Sequence, residues 1–308
     1  MTVASSRFAR SDDVGGIIPI LVTPFLPDGA VDIDGLFAEV EFLLAAGISW
    51  VGLGYGSEVH RMTAVEVRTL TGLVRQALGS RARLVGNVEM LERATDTCWA
   101  IEQMADAGAD AVLLRPVPAV DEGQDGMRRS IAAVARDAAV GVIVQDAPQH
   151  TGVELGASTL AHLLLDAPGV VAVKVEPHAS APKIGQVVDA LHGEPGTVIG
   201  GQGGTDLVHE LLRGAAGTMP GPAFPAEFLG VMAAVRAGDV ATGLRRWSLQ
   251  LPFAVVANRD FDTFLSLNKY VLVRRGVLRS ADLRGRQGVD PDLRAEVDRL
   301  LDTFEVGV

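Results

Sequence analysis

Short apolar runs rich in β-branched residues recur along this chain and alternate with longer stretches whose apolar residues fall at i, i+3, i+4 and i+7. The runs read "GIIPILVTPF", "WVGLGYG", "RLVGNVEM", "AVLLRPV", "GVIVQDAP", "VVAVKVEP", "TVIGGQG" and "GTMPGPAF". Their continuous hydrophobicity predicts strands buried on both faces. The intervening segments, among them "DIDGLFAEVEFLLAAG", "TAVEVRTLTGLVRQALG", "TDTCWAIEQMADAG" and "MRRSIAAVARDA", predict amphipathic helices, several of which stop at Gly or Asp. Strands of this kind alternating with helices imply a parallel sheet covered by helices. Eight such units favour an α/β fold of the closed (β/α)8 TIM-barrel type. A doubly wound sheet would advertise a Gly-rich dinucleotide turn after the first strand, where this chain has "VTPFLPDG".

From about Phe224 the pattern becomes helical throughout, in "AEFLGVMAAVRAGD", "VATGLRRWSLQLPFAVVANR", "FDTFLSLNKYVLVRRG" and "DPDLRAEVDRLLDTF". The expected organisation is an N-terminal arm over 1–14, the barrel over 15–235 and a C-terminal helical extension over 236–308. With 308 residues, 48% of them hydrophobic, the chain can bury a large core. A net charge of -11, with no block of basic residues, argues against a nucleic-acid partner and for a small molecule. No apolar stretch reaches the roughly 18 to 20 residues that cross a bilayer, and the first residues lack the apolar core of a signal peptide, so no membrane partner and a cytoplasmic location are expected. The lone Cys98 can form no internal disulfide and reads as core packing.

The candidate chemistry lies in "GVVAVKVEP". The chain has three lysines, and Lys174 sits near the end of an otherwise apolar sixth strand. Barrel active sites lie at the carboxyl ends of the strands. Burial there disfavours the charged form of an amine, and a neutral amine can attack a ketone to form a Schiff base. The alternative is a structural ion pair with Glu176, two residues on and on the same face of the strand. Lys183, at a helix start, and Lys269, in an amphipathic segment, read as surface residues.

The opening "GGIIPILVTPFLPDGAVD", the lysine strand "VVAVKVE" and the following "VIGGQGGTDLVHELLRGAAGTMPG" together resemble the family of dihydrodipicolinate synthase and N-acetylneuraminate lyase, over about Gly15 to Leu301. The resemblance implies a Schiff-base lyase on a (β/α)8 barrel that needs no cofactor or metal, binds a 2-keto acid and forms a homotetramer. It makes Lys174 the Schiff-base lysine and Thr23, in the Thr23-Pro24-Phe25 turn, a residue that orients groups around it. Where the family reads Gly-Thr-Thr-Gly-Glu, this chain has Gly54-Tyr55-Gly56-Ser57-Glu58; where it reads Tyr-Asn-x-Pro, this chain has Gln145-Asp146-Ala147-Pro148, with His150 in place of the usual arginine. The proton-shuttling tyrosine is therefore missing, and the only tyrosines are Tyr55 and Tyr270. These departures, with "VQDAP" and "GTMPGPAFP", resemble the branch containing 2-keto-3-deoxy-L-arabonate dehydratase.

On that resemblance Lys174, Glu58, Gln145 and Tyr55 are expected to be catalytic. Glu58, Tyr55 or Glu176 would transfer protons, and Gln145, which cannot titrate, would hydrogen-bond substrate or water. Backbone N–H groups of Gly56 and Ser57 would hold the substrate carboxylate, and Gly200 and Gly201 would let substrate approach closely. Each residue also has a plainer reading: Glu58 as a cap of the helix opening near Thr63, Tyr55 as filler of the barrel mouth, and the glycines as turn residues. His60 has no partner at ligand spacing that would make it a metal ligand. The expected reaction is dehydration of a 2-keto-3-deoxy sugar acid. Retro-aldol cleavage, a non-catalytic ligand-binding barrel and phospho-sugar chemistry are the alternatives.

Overall fold

The computed structural model describes residues 14–118 and 123–306. Eight parallel strands form one sheet: β1 (Gly16–Ile17), β2 (Trp50–Gly52), β3 (Arg83–Glu89), β4 (Ala111–Arg115), β5 (Gly141–Asp146), β6 (Val170–Val175), β7 (Val198–Gly200) and β8 (Gly217–Thr218). Each pairs with its successor from β2 to β8, β8 pairs with β1, and a bridge between Ile20 and Gly52 joins β1 to β2 and completes the ring. All eight apolar runs became strands, although β1 and β8 keep only two ladder residues each. Helices α1 (Ile33–Ala45), α2 (Ala64–Leu78), α3 (Ala94–Asp106), α4 (Gly123–Asp137), α5 (Pro148–Thr151), α6 (Ala157–Asp166), α7 (Ser180–Ala190) and α8 (Leu207–Leu211) lie between the strands. They are followed by α9 (Pro225–Arg236), α10 (Val240–Ala257), α11 (Phe261–Arg274) and α12 (Pro291–Val306). The expected N-terminal arm falls almost wholly outside the described residues.

Local chemistry sets the helix starts. Asp32 accepts from the Gly35 N–H at the start of α1, and Asp260 accepts from the Thr263 N–H at the start of α11. At α2, Thr63 and Glu66 cap each other's backbone N–H groups in a reciprocal box. Glu66 therefore fills the capping role there, and Glu58 does not.

The ring interior is an apolar stack of Ile18, Ile20, Trp50, Val85, Ala111, Leu113, Ile143, Val171, Ala172, Ile199 and Met219. The outward residues of the same strands, such as Val112, Val142, Val144, Val170, Val173 and Val175, pack instead under the helices. On β6 this alternation is broken once. Val171 and Ala172 both face inward, and the pairing with β5 jumps from Val142↔Val170 to Ile143↔Ala172. That extra residue re-phases the strand. Without it Val173 and Val175 would face the interior; with it Lys174 and Glu176 do.

Two lysines expected on the surface lie elsewhere. Lys269 is wholly buried, and the Lys183 side chain is about nine-tenths covered, its Nζ 2.7 Å from Asp146. Lys269 is amphipathic only in sequence: α11 packs its polar head inward because Glu58 waits there. Cys98 is half-buried against the helix-side core, as expected of a packing residue, and lost hydration pushes its thiol pKa up. Among the described residues no helix is long and apolar enough to cross a membrane.

Candidate active site

At the carboxyl ends of the strands opens a cavity of about 760 Å³, lined by residues that include Ile20, Tyr55, Gly56, Leu113, Gln145, His150, Lys174, Glu176, Gln202 and Phe261. Its floor is the last inward layer of the barrel. Lys174 reaches this floor from β6 with its side chain buried, and its Nζ lies 2.9 Å from Glu176 Oε1. The ion pair considered as an alternative to chemistry thus exists, and it borders open space.

Glu176 is held from several directions. Gln145, paired with Lys174 across β5 and β6, donates from Nε2 to Glu176 Oε1 in a short contact. The Gln202 N–H donates to Oε2 at 3.2 Å. Gln149 and Gln202 donate from their side chains to the Glu176 backbone carbonyl at 2.7 and 2.8 Å. Burial pushes the carboxyl pKa up, but the positive charge of Lys174 and these donors outweigh it, and the net direction is down. Glu176 is therefore an anchored carboxylate beside the amine.

Tyr55 and Gly56 also line the cavity, in a 3-10 turn spanning Tyr55–Ser57. The Tyr55 ring is covered on one face by the Arg115 guanidinium, 3.7 Å from its centroid, and meets His60, His150 and Phe261 edge-on at 5.1, 6.0 and 6.1 Å. Lost hydration, only partly offset by Arg115, raises the phenol pKa, so Tyr55 remains a proton donor through neutral pH. His150 at the mouth is held below the usual histidine range, chiefly by loss of hydration.

The remaining predicted residues form the support of that turn. Thr23 donates from Oγ1 to the Ser57 carbonyl at 2.6 Å, and Ser57 donates from Oγ to the Leu21 carbonyl at 2.5 Å while accepting from the Gly54 N–H at 3.2 Å. Both side chains are buried and bind the turn to the segment that follows β1. Glu58 departs most from expectation. It follows the turn in the left-handed region, at φ 59°, and is wholly buried. Its Oε1 accepts from Lys269 Nζ at 2.6 Å, and its Oε2 accepts from Arg61 Nη1 at 2.8 Å and from the Arg284 N–H at 3.1 Å. Glu58 does not line the cavity, so the role expected of it in proton transfer gives way to an anchoring one.

Gly200 and Gly201 likewise serve carboxylates. A Cβ at Gly200 would stand 1.9 Å from a Glu210 oxygen, and one at Gly201 would stand 2.2 Å from Glu176 Oε2. The glycines make room for protein side chains at a place where close approach of substrate was expected. Among the described residues no cluster of three or more His, Cys, Asp or Glu side chains is placed to hold a metal ion.

Several residues now prominent carried little signal in the sequence. Arg115 ends an apolar strand, and Glu210, wholly buried beside Gly200, sits in a helix where a carboxylate ordinarily faces water. Inward orientation at such positions depends on register and helix rotation.

Known proteins resemble this chain in sequence and in fold. A 4-hydroxy-tetrahydrodipicolinate synthase of Sorangium cellulosum is 30% identical over 232 residues, covering 74% of this chain and 76% of that protein. One from Xanthomonas axonopodis pv. citri is 29% identical, covering 70% of each. The dihydrodipicolinate synthase structure from Rhodopseudomonas palustris superimposes with a TM-score of 0.86 at 24% identity, covering 96% of this chain and 98% of that one. YagE, an Escherichia coli prophage protein of the dihydrodipicolinic acid synthase family solved with pyruvate, also gives 0.86, at 22% identity and with 94% and 98% covered. The model of the dihydrodipicolinate synthetase family matches residues 13–221, and the chain belongs to that family.

Proposed function

We infer that this protein is a Schiff-base lyase acting on a 2-keto-3-deoxy sugar acid, with loss of water as its reaction. The observation that carries the reading is an inward-facing lysine at a strand end, open to a cavity of about 760 Å³ and 2.9 Å from an anchored carboxylate. Lys174 passes a proton to Glu176, its free amine attacks the C2 ketone, and that oxygen leaves as water with the proton returned by Glu176, so that a protonated imine remains. The imine draws electrons from C3, so a base can take a C3 proton and leave an enamine. Glu176 serves as this base and balances the charge of the iminium nitrogen. The enamine then expels the C4 oxygen as a second water, protonated by an acid, with Tyr55 as donor. A C3–C4 double bond forms as the C4–O bond breaks, and water adds to the imine to release product and free the amine.

The residues lining the cavity support dehydration. Loss of water needs a proton at the C4 oxygen, and Tyr55, which stays protonated through neutral pH, lines the same cavity. Synthase chemistry like that of the named relatives would lack the strand-five tyrosine, whose place Gln145 fills.

Borohydride reduction during incubation with pyruvate or a 2-keto-3-deoxy acid is the test. An adduct mass on the peptide containing Lys174, absent in Lys174→Ala, is expected. Failure of every 2-keto acid to give an adduct defeats the reading. Recovery of pyruvate plus an aldehyde from the longer substrate would replace dehydration by cleavage.

A further inference from the structure

On the helix side of the sheet, behind the strand ends, lies a carboxyl that the chemistry above does not use. Ile199 of β7 faces the ring interior, so Gly200 faces outward, toward Glu210 of α8. Glu210 is wholly buried, and only a residue without a Cβ at position 200 leaves it room. Its Oε1 accepts from the Ser180 hydroxyl at 2.6 Å, and the Gly201 N–H donates to the same carboxyl. Ser180 Oγ also lies 3.4 Å from Oδ2 of Asp206, a residue of the cavity wall.

These two donors belong to the loops that carry and grip Glu176. Ser180 opens α7 directly after His178 and Ala179, which line the cavity. Gly201 leads into the turn of Gln202, Gly203 and Gly204, all at positive φ, of 49°, 66° and 78°. Left-handed backbone at Ala179, φ 60°, and at Gln202 is costly and persists only where the surroundings fix it. The turn delivers the Gln202 N–H to Glu176 Oε2 at 3.2 Å and the Gln202 side chain to the Glu176 carbonyl at 2.8 Å. Glu210 fastens from behind what Gln202 holds in front.

We propose that Glu210 is a positioning residue for the reaction, clamping the loops after β6 and β7 so that the Gln202 N–H stays on the Glu176 carboxylate beside Lys174. Burial, with the nearby charges of Asp206 and Glu176, pushes the Glu210 pKa to about 8. The clamp is therefore uncharged at neutral pH and sets no second negative charge behind the base. The inference rests on the reading of Glu176 as that base.

Two measurements separate the ideas. Exchange of the C3 protons of pyruvate in D2O reads the base without the natural substrate, and backbone amide exchange over 176–180 and 200–206 reads the clamp without catalysis. Glu210→Ala is expected to slow pyruvate exchange and to move the acid limb of its pH profile up by about one unit, as when a carboxylate loses one hydrogen bond. Amide exchange in both loops should quicken, and Glu210→Gln, which keeps the shape and an acceptor oxygen, should restore both readings. Ser180→Ala removes one donor and little bulk, so it should move the limb the same way and decides the matter if Glu210→Ala does not fold. A slower rate with the limb at its native position would make Glu210 a structural residue only and overturn the proposal. Native amide protection of both loops in Glu210→Ala overturns it as well. If the native protein neither exchanges pyruvate protons nor yields a borohydride adduct, the Schiff-base reading falls, and amide exchange still decides whether Glu210 clamps these loops.

Discussion

Glu176 and Glu58 are both buried carboxylates paired with a lysine, and their surroundings give them different work. Glu58 has both oxygens taken by Lys269, Arg61 and the Arg284 N–H, and it is closed off from the cavity. Glu176 lines open space, so a reacting carbon can come within reach of it. Glu176→Gln keeps the size and one acceptor oxygen, for either Gln145 or the Gln202 N–H, but removes the base. Positioned acid–base groups contribute about 10²- to 10⁴-fold to rate, and a fall in kcat of that order is expected, with a slow borohydride adduct still forming on Lys174. Single-turnover trapping measured beside steady-state turnover checks this. Equal loss of both would mean that the carboxylate serves only to place the amine. The lysine and its acid could be read from "VKVE" because polar residues are conspicuous in an apolar run. Whether they face the barrel interior could not, because that depends on the extra residue at Val171–Ala172, and apolar side chains look alike on either face of a doubly covered strand.

At the scale of elements, the site depends on a turn that its own segment does not stabilise. The turn over Tyr55–Ser57 runs into a left-handed Glu58, a conformation costly for a residue with a side chain. It is fixed by Thr23 from the segment after β1 and by Lys269 from α11, which also donates to the Asp282 carbonyl at 2.8 Å. The C-terminal helices thus secure the backbone proposed to bind the substrate carboxylate. Lys269→Met takes the buried ammonium from Glu58 and leaves Arg61 as its charged partner, so the cost reaches at most the roughly 3–5 kcal/mol of breaking a buried pair outright. Urea denaturation should show a loss of up to that size, and Lys269→Met combined with Glu58→Gln should recover part of it. A double variant as unstable as the sum of the single ones would mean that the two residues act separately. The sequence held both partners 211 positions apart with nothing to connect them, and amphipathic periodicity alone assigned Lys269 to the surface.

For the whole molecule, the alternation of apolar runs and helical periods was enough to fix the barrel, since eight strands buried on both faces have few other ways to be covered. What this alternation conceals is the small number of ionisable groups enclosed with the core, and these shape how stability depends on pH. Glu39 accepts from the Val22 N–H at 2.9 Å and Glu210 accepts from the Ser180 hydroxyl at 2.6 Å, yet the second oxygen of each has no partner in the structure. Burial pushes both pKa values from 4.5 to about 8. In this window the folded protein holds protons that the unfolded chain has released. Stability linked to each group is therefore complete below about pH 4.5 and is lost as pH rises to about 8, by at most ~1.4 kcal/mol per pH unit per group. His60 and His150, whose pKa values are lowered mainly by lost hydration, act in the opposite direction but only below their unfolded value of 6.5. The range from about pH 6.5 to 8 is thus the clearest place to look. Glu39→Gln and Glu210→Gln keep an acceptor oxygen and abolish the titration. Each should be more stable than the native chain at pH 8 relative to pH 6.5, with a shallower decline in urea midpoints between them. Parallel pH profiles for the native protein and both variants would show that these carboxyls titrate normally in the fold.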